Sequence, residues 1–99
     1  MDKALQKKIA EILTKAGMVK TFELPIEGFD QVLIAVKLLD PEEKTLIEER
    51  YLKHGDYVKN YEVCDLMGIS NPKYQAIRYR AFRKIAYQIG LYKPEGERR

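Results

Sequence analysis

One cysteine, one histidine and no tryptophan occur in the 99 residues. A single Cys64 excludes an internal disulfide and suits a reducing compartment such as a cytoplasm. A single His54 cannot build a metal site without other ligands nearby, so neither a metal nor another cofactor is expected. No apolar run approaches the ~20 residues that a bilayer-spanning helix needs, so no membrane partner is expected. The basic opening MDKALQKKIAEIL has no unbroken apolar block and no cleavage site, and does not read as a signal peptide. Gly-rich phosphate loops, nucleophile elbows and zinc motifs are missing too, so the chain does not read as an enzyme. There is no internal repeat.

What is present is charge, unevenly placed. Charged residues make up 33% of the chain and apolar ones 45%, which suits one modest globular domain. The net charge of +3 conceals an asymmetry. From Ser70 onward eight Lys/Arg stand against two Asp/Glu, whereas the first 69 residues hold ten against thirteen. A basic C-terminal third on an acidic body points to an anionic partner. A plainer account is a solvated helix face.

The pattern is helical almost throughout. Leu5, Ile9, Ile12, Leu13 and Ala16 predict a helix over 3–16, with Gly17 as its stop. The stretch MVKTFELPIEG has no helical period and reads as a loop or short strand. Asp30 is placed to cap a second helix, QVLIAVKLL, whose apolar residues go most of the way round and predict burial. In LDPEEKTLIEERYLKHGD, Asp40 reads as an N-cap, Pro41 as the first helical residue and Glu43 as the partner in a capping box. Gly55 reads as that helix's end. Asn60 is placed to cap a short helix, 61–67. Gly68 then suits a tight turn, and Ser70 caps a long helix that reaches about Ile89, before Gly90.

Short helix, three-residue turn and long helix is the order of a helix-turn-helix. That geometry needs a small residue inside the first helix, and Cys64 is there. Val63 and Met67 flank it, Gly68 and Ile69 supply the turn, and Tyr74 and Ile77 face back. At about 100° per residue, Ile77, Ala81, Tyr74 and Ile85 share one arc of the long helix, while Gln75, Tyr79, Arg83 and Ala76 share the other. The N-terminal residues of such a helix reach base edges first. Candidate base contacts are therefore Asn71, Lys73, Gln75, Ala76 and Tyr79. Arg78, Arg80, Arg83 and Lys84 are candidate phosphate contacts, giving affinity and salt dependence. The chain thus reads as an all-α, small helical domain with a C-terminal helix-turn-helix and a long basic recognition helix.

The segments LDPEEKTLIEERYL and NYEVCDLMGISNPKYQAIRYRAFRKIA together resemble the C-terminal helix-turn-helix of bacterial sigma factors, region four, which reads an upstream promoter element. The chain is similar in kind to small phage-encoded late-gene regulators of the ArpU and RinA type. This resemblance implies that Asn71, Pro72, Lys73, Gln75 and Ala76 face the bases, that double-stranded DNA is the partner, and that RNA polymerase can be a second. Sigma factors usually carry Arg-Glu where Asn71-Pro72 stands, so the target sequence does not carry over. The division implied is an N-terminal helical segment, 1–38, for docking or oligomerisation, and a helix-turn-helix domain, 39–99. The function expected is sequence-specific transcription regulation in a phage or prophage. The alternatives are a protein-interaction module that grips polymerase or another regulator, and a small terminase-type packaging protein. The Leu5, Ile9, Ile12, Leu13 edge either pairs with a second copy, giving a homodimer, or packs on the chain's own core.

Overall fold

Apolar side chains at helical spacing, interrupted by strong capping sequences, produce an all-α structure. The computed structural model describes residues 3–22, 29–53 and 58–91, and among these there is no strand. The helices are α1 (Lys3–Phe22), α2 (Phe29–Lys37), α3 (Pro41–Ile47), α4 (Asn60–Met67) and α5 (Asn71–Gln88). α3 runs on into a π-helical turn, Glu48–Leu52, closed by the Lys53 N–H donating to the Glu48 carbonyl at 2.9 Å.

α1 does not stop at Gly17 but continues to Phe22. The glycine is there for proximity. A Cβ at this position would lie 2.5 Å from the Tyr51 carbonyl oxygen and 2.9 Å from Leu52 Cα. The backbones of α1 and the π turn therefore approach more closely than any side chain would permit. Residues 18–22, expected to be loop or strand, are helical. Residues 23–28 of that stretch lie outside the described residues, as do His54 and the expected stop at Gly55. α2 begins one residue before Asp30, which therefore sits in its first turn rather than at its cap. It is also less buried than its composition suggests. Val32, Ala35 and Val36 face inward, whereas Ile34 and Leu38 are 52% and 67% exposed.

The capping sequence of α3 folds as read. Asp40 is extended, Pro41 opens the helix, and the Asp40 N–H donates to Glu43 Oε1 at 3.2 Å. α4 starts one residue earlier than expected. Lys59 is its cap residue, extended at φ −96°, and its N–H donates to Glu62 Oε1 at 3.0 Å. Asn60 is thus the first helical residue, which releases its side chain for longer-range bonds. Gly68 takes φ +68°, and the Ile69 N–H reaches back to the Cys64 carbonyl at 3.0 Å. Only a residue tolerant of the left-handed region closes a helix in this way. Ser70 is extended, and its hydroxyl accepts from the Lys73 N–H at 3.4 Å.

One core unites these helices. Ile9, Leu13 and Ala16 of α1 share it with Val32 and Val36 of α2, Leu46 and Ile47 of α3, Val63 and Cys64 of α4, and the inner face of α5. Tyr51 of the π turn packs on Phe82 with ring centroids 5.7 Å apart. α5 is the common surface, packed by α1, α2, α3 and α4.

Candidate nucleic-acid interface

α5 has two chemically distinct sides. Tyr74, Ile77, Ala81, Phe82, Ile85 and Ala86 are buried, each at 1% exposure or less. On the opposite side of its first two turns, Asn71, Pro72, Lys73, Gln75 and Ala76 are exposed. Tyr79, one turn further, is half-buried, and Arg83 is exposed. The left-handed Gly68 and the Ser70 cap set where this helix begins, and with it the position of the exposed turns.

The cations of α5 fall into three groups. Lys73 and Arg83 form no ion pair among the described residues. Arg80 and Lys84 turn instead toward the first turn of α3. Arg80 Nε lies 3.2 Å from Glu43 Oε2, and its Nη2 lies 2.8 Å from Glu42 Oε1. Lys84 Nζ donates to Glu43 Oε1 at 2.8 Å and Oε2 at 3.1 Å, and to Asp40 Oδ2 at 3.3 Å. Hydrogen bonding to Glu43 is the main cause that raises both cations above their ordinary pKa values. Glu43 is completely buried, so the two cations neutralise a carboxylate that would otherwise be stranded.

Arg78 belongs to a third group, on the far shoulder of α5. Its Nε donates to the Tyr51 hydroxyl at 2.9 Å, and its guanidinium lies 4.3 Å from the Phe82 ring centroid. Arg50, from the π turn, is held in a similar way. Its Nε donates to Asn60 Oδ1 at 2.8 Å, and its guanidinium lies 4.9 Å from the centroid of Tyr51. The same Asn60 oxygen accepts from the Tyr74 hydroxyl at 2.8 Å. Burial pushes the Tyr74 phenol up to about 12, opposed by the nearby charges of Arg50 and Arg78.

The structure therefore leaves Asn71, Lys73, Gln75 and Ala76 exposed on the leading turns of α5, with Arg83 exposed two turns beyond. It places Arg80 and Lys84 in an intramolecular clamp, and Arg78 against Tyr51 and Phe82. Sequence reasoning missed Glu43 as a buried acceptor, missed Arg50 altogether, and read Asn60 only as a helix cap. The capping sequence signalled Glu43's local bond, but its partners on α5 stand 37 and 41 residues away. No protein-family model, no curated protein and no solved structure matches the chain.

Proposed function

We propose that this protein is a sequence-specific DNA-binding transcription regulator of the phage late-gene type, with α4 and α5 as a helix-turn-helix and α5 as its recognition helix. The observation that carries the reading is the exposure of Asn71, Lys73, Gln75 and Ala76 on the leading turns of a helix whose other side is wholly buried. An α-helix held in this way fits the major groove with its N-terminal residues nearest the bases. Gln75 is suited to bidentate pairing with adenine, Lys73 to guanine, and the Ala76 methyl to a thymine methyl. Arg83, which makes no ion pair among the described residues, is the first candidate for phosphate. Arg80 and Lys84 reach phosphate only by releasing or sharing Glu42, Glu43 and Asp40. RNA polymerase is the second partner in this proposal.

Selection of bound fragments from a random duplex pool, at two salt concentrations, tests it. The parent is expected to enrich one sequence. Gln75→Ala is expected to relax preference at a single base step by about 1–3 kcal/mol, leaving the other positions unchanged. Enrichment of no sequence by the parent rejects the reading. Enrichment of a packaging-site sequence, in place of one upstream of a late promoter, transfers it to a terminase-type role.

A further inference from the structure

A surface groove of about 480 Å³ runs between α1 and the π turn, and Arg78 and Asn60 also line it. Lys7, Lys15, Arg50 and Arg78 supply its positive charge, and Glu11 is the carboxylate among its lining residues. Arg50 and Arg78 are both half-buried. A guanidinium in that setting ordinarily meets a carboxylate. Here each is fixed by a neutral oxygen, Asn60 Oδ1 or the Tyr51 hydroxyl. Each also lies over an aromatic ring. Neither makes an ion pair among the described residues, and the remaining guanidinium N–H groups find no protein acceptor there.

The orientation is thus prepared while the charge is left uncompensated. Two planar forks with free N–H edges match phosphate oxygens geometrically, and holding the forks in advance removes much of the ordering cost of binding. The excess of cations over Glu11 favours a phosphate over a singly charged carboxylate. We propose that this groove is a phosphate-binding site, with Arg50 and Arg78 as the paired ligands and Lys7 and Lys15 as the outer charges.

Two sources of phosphate share this chemistry. One is the backbone of a duplex lying on α5, since Gln75 and Arg78 are three residues apart and neighbours on the helix surface. The other is a free phosphorylated small molecule, for which the volume suffices. Affinity of the groove for phosphate does not depend on α5 reading bases.

The test uses the full chain, isotopically labelled, with inorganic phosphate added at constant ionic strength against a chloride control. The Nε–H resonances of Arg50 and Arg78 are expected to shift saturably, while that of Arg83 does not. Arg50→Lys keeps the charge but removes the fork, and is expected to weaken phosphate binding at least tenfold. Lys15→Gln, at an exposed position, is expected to weaken it several-fold; thermal melts confirm that both variants remain folded. Shifts that fail to saturate, or variants that bind phosphate like the parent, overturn the proposal. Closure of the site by pre-bound duplex assigns the phosphate to the DNA backbone, and an open site assigns it to a small molecule. Saturable phosphate binding by a parent that binds no duplex leaves this site standing and removes the DNA-reading proposal alone.

Discussion

Glu43 performs two tasks with one carboxylate. It closes the start of α3 by accepting from the Asp40 N–H, and from a fully buried position it holds Arg80 and Lys84 of α5. The first task is worth about 1 kcal/mol. The second decides whether the charge is tolerable at all, because a buried charge that has lost its partners costs about 3–5 kcal/mol. These magnitudes predict a change of sign. In the native chain, Glu43→Leu is expected to destabilise, losing the cap and the clamp together. In an Arg80→Ala, Lys84→Ala background the same substitution is expected to stabilise, because it removes the stranded carboxylate; urea unfolding of the four chains measures both effects. Tyr74 gives a pH dependence at the same scale. Its pKa is raised from 10.0 to about 12, chiefly by burial, so folding favours the neutral phenol. The sign follows from linkage: the stabilisation is complete below pH 10 and is lost as pH rises toward 12. Lys84, raised by its bond to Glu43, works in the same direction, its share being present below its ordinary 10.5 and lost through its higher folded value. Tyr74→Phe is expected to be less stable than the parent at neutral pH, by about 1 kcal/mol for the lost bond to Asn60, yet to lose less stability across that alkaline window.

At the scale of elements, the contact of α1 with the π turn depends on Gly17. Replacing a helical glycine by alanine ordinarily gains about 1 kcal/mol in propensity. Here the new Cβ meets the Tyr51 carbonyl and Leu52 Cα, both backbone atoms that cannot rotate away. Overpacking costs about 1–3 kcal/mol, so Gly17→Ala is expected to be a net loss of up to about 2 kcal/mol, measured by chemical denaturation with unchanged helix content. The same residue shows why part of the fold was not legible in the sequence. A glycine at the end of an apolar period reads as a stop, and a single sequence does not reveal that another helix's backbone lies against it. Local signals were legible. Asp40-Pro41, Gly68 and Ser70 act within three or four residues of themselves, and each structure formed as its chemistry requires. The inward arc of α5 was legible for the same reason, since Tyr74, Ile77, Ala81 and Ile85 follow helical spacing and all are buried. Exposure of Ile34 and Leu38 was not, because it depends on which face of α2 the other helices cover. Asn60 fell between these cases: it suits a cap, but the backbone begins the helix one residue before that reading requires.

At the scale of the whole molecule, Arg80 and Lys84 of the basic α5 pair with the acidic start of α3. The asymmetry of charge in the sequence pointed to an anionic partner for the basic C-terminal third. The structure divides the cations of α5: Arg80 and Lys84 turn to the acidic start of α3, Arg78 faces the groove beside α1, and Lys73 and Arg83 make no ion pair among the described residues. A cation already held by a carboxylate contributes less to counterion release, because binding phosphate exchanges one anionic neighbour for another. If α5 lies along a duplex, the variants therefore separate. Arg83→Ala is expected to weaken all duplexes alike, to flatten the slope of log affinity against log salt by about one, and to leave unfolding stability within about 0.5 kcal/mol. Arg80→Ala is expected to change that slope by clearly less than Arg83→Ala, while lowering stability, because its loss leaves Glu43 with Lys84 alone. Fluorescence anisotropy over a salt series, paired with urea melts of the same proteins, reads both quantities. Equal slope changes for the two variants, with no difference in stability, would mean that the Arg80–Glu43 pair does not persist in solution and that α5 offers its cations as one undivided surface.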